Sequence, residues 1–199
     1  MTVKLVGSSS GSVSLQAPAN TAGGAHRVLT LPDADATLLS SASSVGKILQ
    51  VVSSHKVDSF ATTSSSFVDI TGMSRTITPV GASSKIHIVL SLHVGGSNSY
   101  IGFNLLRGST IVTQGTNGSG NITNCSFGTY ISNGDRTTTN GYNFLDSPSY
   151  SVGDTLTYKI QVASLYNNIE VCINRTFSGS NQTYTVNGTS TITLMEVAA

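Results

Sequence analysis

Apart from hydroxyls and ten Lys and Arg, the chain's acid–base, nucleophilic and metal-binding side chains are four His, two Cys and nine Asp and Glu. Their spacing decides what they can do together. His87 and His93 fall on one polar strand face, but six residues at about 3.3 Å each set them roughly 20 Å apart, too far to share a metal. His26 and His55 lie in other segments without a Cys or carboxylate cluster beside them and read as surface histidines. Gly7-Ser8-Ser9-Ser10-Gly11 has the spelling of a nucleophile elbow, yet that motif needs a core strand before it and a helix after it. In a Ser/Gly-rich stretch the match is a chance one. Asp33 and Asp35, within Pro32-Asp33-Ala34-Asp35, read as turn chemistry, and a glycosidase pair would need a cleft that the sparse segment around them cannot build. Cys125 and Cys172 fit no short-spaced metal motif. Free thiols and a single disulfide both stay open, with nothing else pointing to an oxidising compartment. Glu170 and Glu196 are the only glutamates. Glu196 alternates with Ile192 and Leu194, so a partly buried, hydrogen-bonded carboxylate at a sheet end is expected. No acid, base, nucleophile or metal set emerges, so neither an enzyme nor a cofactor is expected.

What remains is recognition chemistry. Gly95-Gly96-Ser97-Asn98-Ser99-Tyr100 and Tyr166-Asn167-Asn168 have the Asn, Tyr, Ser and Gly content of adaptable binding loops. Asn98, Tyr100, Tyr166, Asn167 and Asn168 are therefore candidate recognition residues, with ordinary polar loops as the plain alternative. Six tripeptides, at Asn117, Asn121, Asn124, Asn174, Asn181 and Asn187, fit the glycosylation pattern. With 14 Asn, 32 Ser and 25 Thr in 199 residues, roughly four such matches arise by chance, so the six decide nothing.

The elements that would position these residues follow from composition and periodicity. Only 10% of residues are charged, against roughly 25% in a typical soluble domain, so the polar surface must be made of hydroxyls, Gly and Asn. That surface suits strands and turns and disfavours exposed helices. The net charge of +1, with Lys and Arg scattered singly, offers no stripe for phosphates and no polybasic patch, so neither nucleic-acid binding nor membrane insertion is expected. No segment has the roughly 20 apolar residues of a membrane span. The first residues, Met-Thr-Val-Lys-Leu-Val-Gly-Ser-Ser-Ser, lack the apolar run of a secretory signal, and the expectation is synthesis in a host cytoplasm.

From Lys47 onward, period-two alternation predicts strands. Ile86, Ile88, Leu90, Leu92 and Val94 fall on one face of one strand. Leu156, Tyr158, Ile160 and Val162 do so on another, and Ile169, Val171 and Ile173 on a third. Further strands are expected at 47–60, 66–70, 74–78, 100–106, 122–131, 139–145, 184–186 and 191–197, with Asn-Gly and Gly-Asp turns between them. The fold class is all-β: an antiparallel β-sandwich of jelly-roll type over 47–199.

Residues 1–46 differ. They hold no aromatic residue, and their apolar residues come in runs of four or fewer, at Val3, Leu5, Val6, Val13, Leu15, Val28, Leu29, Leu31, Leu38 and Leu39. Strands that short cannot build a core alone. The segment reads as an extended arm of short strands that gains its burial from a partner, or else as a tail.

The words of the arm, Val3-Lys4-Leu5-Val6-Gly7, Gly11-Ser12-Val13-Ser14-Leu15-Gln16-Ala17-Pro18, Leu29-Thr30-Leu31-Pro32 and Ala36-Thr37-Leu38, resemble the attachment segment of phage fibre-type virion proteins. Later stretches are similar to the β-rich knobs of such proteins: Phe67-Val68-Asp69-Ile70-Thr71-Gly72-Met73, Phe103-Asn104-Leu105-Leu106-Arg107-Gly108-Ser109, Val152-Gly153-Asp154-Thr155-Leu156-Thr157-Tyr158 and Ser190-Thr191-Ile192-Thr193-Leu194-Met195-Glu196-Val197. The resemblance implies a homotrimeric knob fixed to a virion by its arm, through a major capsid protein or a tail protein. It departs from the pattern in length, since Ser40-Ser41-Ala42-Ser43-Ser44-Val45-Gly46 joins arm to knob with no shaft. That favours a capsid decoration, cement or head-fibre protein, with a short tail fibre or adaptor that binds a host-surface glycan or receptor as the alternative.

Overall fold

The computed structural model describes residues 2–6, 12–16, 47–116, 119–179 and 182–199, the first two stretches as backbone strands. The chain divides into two units, Met1–Ser40 and Ser41–Ala199. In the first, strands β1 (Thr2–Val6) and β2 (Ser12–Gln16) pair antiparallel. Their register sets Val3 opposite Leu15 and Leu5 opposite Val13, while Val6 stands opposite Ser12. Residues two apart share a strand face, so four of the expected arm positions fall on one side of a hairpin. Val28, Leu29, Leu31, Leu38 and Leu39 lie outside the described residues.

The second unit contains strands β3 (Ile48–Lys56), β4 (Phe60–Thr62), β5 (Val68–Ile77), β6 (Lys85–Gly95), β7 (Ser99–Arg107), β8 (Thr110–Thr113), β9 (Phe127–Ile131), β10 (Thr137–Asp146), β11 (Leu156–Ser164), β12 (Val171–Ile173) and β13 (Ser190–Val197). They form two antiparallel sheets. In one, β3 and β4 share an edge lane, β13 and β12 share the next, and β6 and then β10 complete it. In the other the lanes are β5, β11, β7, and an edge shared by β9 and β8. Four lanes face four, and successive long strands switch sheets, which is the jelly-roll arrangement.

Alternation explains the core. Ile86, Ile88, Leu90, Leu92 and Val94 of β6 are all buried, as are Tyr158, Ile160 and Val162 of β11 and Ile101, Phe103 and Leu105 of β7. Phe103 stacks on Phe127 at 4.8 Å and Phe127 on Tyr142 at 4.6 Å, carrying the packing from one sheet to the other. At one end a polar pin joins the layers. Asp146 of β10 accepts a hydrogen bond from the Tyr158 hydroxyl at 2.7 Å and pairs with the Arg107 guanidinium. Burial, reinforced by the Asp146 carboxylate, pushes the Tyr158 phenol well above its ordinary range, so it stays a donor.

Three expectations are corrected. The strands expected at 66–70 and 74–78 are one, β5, because Gly72 takes φ +83° and the chain bulges without leaving the sheet. The strand expected at 184–186 is not formed; the pairing there is a single bridge between Arg175 and Asn187. Residues 122–126 precede β9 and stand outside it.

Candidate functional site

The two outer faces of the sandwich differ in chemistry. Across the β3–β13–β6–β10 sheet, register aligns three rows of outward positions: Val51, Met195, His87, Leu145; then Ser53, Thr193, Val89, Asn143; then His55, Thr191, Ser91, Gly141. None of the twelve is Asp, Glu, Lys or Arg. Two of the hydroxyls, those of Ser53 and Thr193, bond to one another at 2.9 Å. On the opposite sheet the outward positions carry charge: Lys159 Nζ donates to Asp69 at 2.7 Å, and Gln161 Nε2 donates to the other oxygen at 2.8 Å. The Lys159 ammonium, chiefly by its hydrogen bond, holds the Asp69 carboxyl below the usual range.

The same charged sheet ends in an aromatic cluster. Alternation along β7 turns Ile101, Phe103 and Leu105 into the core and leaves Tyr100 outside. Register places Tyr100 opposite Tyr130 of β9, and their rings lie 4.5 Å apart, tilted by 36°. Tyr166, in the loop after β11, meets Tyr100 edge-on at 5.9 Å and 78°. The loop is fixed by the Leu165 N–H, which donates to the Tyr100 carbonyl at 2.8 Å. Gly102 permits that approach, since a Cβ there would stand 3.0 Å from Leu165 Cδ1. The Tyr130 hydroxyl donates to Asn98 Oδ1 at 2.7 Å, which sets the ring's orientation. Asn98, Asn167 and Asn168 all take left-handed φ, between 49° and 53°, a region Asn tolerates because its short side chain bonds locally. The three rings are each about half exposed, at 52%, 46% and 48%.

The structure thus brings together the loop residues Asn98, Tyr100, Tyr166, Asn167 and Asn168 in one area. Sequence reasoning missed Tyr130, because its membership depends on a cross-strand register between positions 30 residues apart. The only signal available was a Tyr in an expected strand whose facing was unknown.

Glu196 and Cys172 serve the fold. Glu196 is fully buried at the end of β13 and accepts from Gln50 Nε2 at 2.6 Å and from the Gly81 and Val80 N–H groups at 2.8 and 3.1 Å. Burial raises its pKa, but these donors outweigh it and hold the carboxyl below the ordinary range. Cys125 and Cys172 are free thiols. Burial, with a hydrogen bond to Glu170, pushes the Cys172 thiol up to about 12, so it is an unreactive core residue. Asn174, one of the six tripeptide positions, is buried and bonded to Lys56 and Asp58 carbonyls, so it is no acceptor for a glycan. Among the described residues no group of three or more His, Cys, Asp or Glu is placed to hold a metal, and no helix is long and apolar enough to cross a membrane. Ser9, His26, Asp33 and Asp35 lie outside the described residues.

The fold and surface define an all-β jelly-roll knob with a neutral aromatic and amide patch on one face. No family model matches the chain, and no curated protein sequence does. Among solved structures, the chain is similar to a chain in "Structure of infectious bursal disease virus Gx strain", with TM-score 0.38 and 15% identity over 98% of this chain and 45% of that one. A chain in the Gt strain structure of the same virus gives TM-score 0.33 and 13% identity over 98% and 50%. The chain spans about half the length of those it matches. These are distant likenesses of chain course, and the chemistry has to be argued from the chain's own residues.

Proposed function

We propose that this protein is a structural component of a bacteriophage virion, held to a major capsid or tail protein by residues 1–46 and presenting residues 47–199 as a homotrimeric knob. In this reading it is a capsid decoration, cement or head-fibre protein. The observation that carries it is the pairing of unlike units. Among the described residues of the first unit, β1 and β2 pair only with each other; an isolated two-stranded hairpin is marginally stable at best in water, so burial against a partner by strand addition fits the segment. The second unit has a complete core and an outer sheet face whose twelve central positions carry no Asp, Glu, Lys or Arg, with Lys85 one row beyond them. That face suits contact between identical copies, which would meet without like-charge repulsion or the desolvation of ions.

The alternative is a short tail fibre or tail adaptor whose knob reads a host-surface receptor; the tyrosine cluster on the opposite sheet is what favours it. Deleting residues 1–46 tests the shared core of both. The expected product is a folded, soluble, trimeric knob that no longer associates with particles, whereas undiminished association would remove the arm from the account. Copy number per particle separates the two: hundreds for a capsid lattice, a few tens or fewer for a tail.

A further inference from the structure

We infer that the Tyr100, Tyr130 and Tyr166 cluster is a binding platform for a neutral saccharide. This deepens the receptor-reading alternative and rests on it for its biological setting, though not for its chemistry. Three features of the patch point to that ligand class. First, Tyr130 packs against Tyr100 with ring centroids 4.5 Å apart and planes tilted by 36°, and Tyr166 meets Tyr100 edge-on at 78°. With each of the three residues about half exposed, the cluster keeps apolar ring surface in solvent, and a sugar ring offers an apolar C–H face to lay against it. Second, the rim is polar in the way a sugar's edge is polar. Tyrosine combines a ring face with a hydroxyl, and Asn98, Asn167 and Asn168 add amides. With its Oδ1 engaged by Tyr130, Asn98 has N–H donors to offer a ligand hydroxyl. Third, none of these six residues is Asp, Glu, Lys or Arg, so an anionic or cationic ligand would find no counter-charge among them.

Size argues for a saccharide over a protein partner. A fully buried tyrosine hides on the order of 200 Å², so three half-exposed rings expose about 300 Å². A stable protein interface needs about 800 Å² from each partner. One or two sugar units match the smaller figure. The platform is also set before binding: the Tyr130–Asn98 hydrogen bond, the Leu165 N–H bond to Tyr100 and the close pass over Gly102 fix the rings, which lowers the ordering cost of binding.

The test uses the full chain and saturation-transfer NMR against methyl glycosides of glucose, galactose, mannose, rhamnose and N-acetylglucosamine, with glucuronate and sialic acid as charged comparators. Each is offered at about 20 mM, where millimolar affinities are visible. The expected result is transfer to the C–H face of at least one neutral glycoside, weakened about tenfold by Tyr100→Ala or Tyr166→Ala. Tyr130→Phe keeps the ring and drops only the hydroxyl bonded to Asn98; about a threefold loss is expected there. All three positions are on the surface, and an unchanged unfolding midpoint shows that the variants fold. Absence of transfer from every neutral glycoside, tighter binding of a charged sugar, or undiminished binding by both alanine variants overturns the inference. Particle association is scored on the same samples. Saccharide binding lost with association intact rejects the platform and leaves the virion reading standing, and the reverse result rejects the virion reading alone.

Discussion

The outer faces of the two sheets differ in where charge is allowed. On the β3–β13–β6–β10 face, twelve aligned outward positions hold four apolar residues, six Ser, Thr, Asn or Gly, and His55 and His87. On the β5–β11–β7–β9 face, Asp69 and Lys159 form an ion pair and three tyrosines stand half exposed. A surface that must meet its own copy gains by keeping charge out, since each buried ion carries a desolvation cost of several kcal/mol. A surface that stays in water tolerates ions and can keep aromatic rings for a ligand.

The largest effect is expected at the pin that holds both sheets. Asp146→Ala would leave the Arg107 guanidinium and the buried Tyr158 hydroxyl without their shared acceptor, at an expected cost of about 3–5 kcal/mol read by urea unfolding. Both faces should then lose their order together. Next is Glu196→Gln, which weakens bonds from Gln50, Val80 and Gly81 at about 1–3 kcal/mol. Because the Glu196 pKa is depressed in the fold, its stabilisation is fully present above the unfolded value of about 4.3. It is lost as pH falls through the folded pKa. The gap between wild type and variant should therefore narrow in acid; a gap that widens there contradicts the assignment.

Val89→Lys acts on the first of the two faces. It puts a charge in the middle row of that face and should convert trimers to monomers while changing the knob's own stability by only about 0.5 kcal/mol. The matching change on the other face, Lys159→Ala, removes an exposed pair with Asp69. It should cost about 0.2–1 kcal/mol and leave the oligomeric state alone. If Lys159→Ala dissociates the assembly and Val89→Lys does not, the faces have been assigned the wrong way round.

Much of the knob was legible because alternation survives where one strand face is buried. The five inward residues of β6 and the inward triplet of β11 announce themselves, and the burial of Glu196 follows from its phase with Ile192 and Leu194. Features that depend on partners far along the chain were not legible. The continuity of β5 through Gly72 is set by how β11 pairs across the bulge. The run of twelve positions without Asp, Glu, Lys or Arg exists only once β3, β13, β6 and β10 lie side by side, since no single strand shows a row of four. The recognition loops were visible by composition, but their convergence was not. Tyr100 and Tyr166 meet because β11 pairs with β7, and Tyr130 joins them through β9.

The most direct check on the account is the solution mass of the full chain by light scattering across a dilution series. Three copies that persist on dilution and fall to one in Val89→Lys are the predicted result. A single copy at every concentration, with this face open to water, would contradict it.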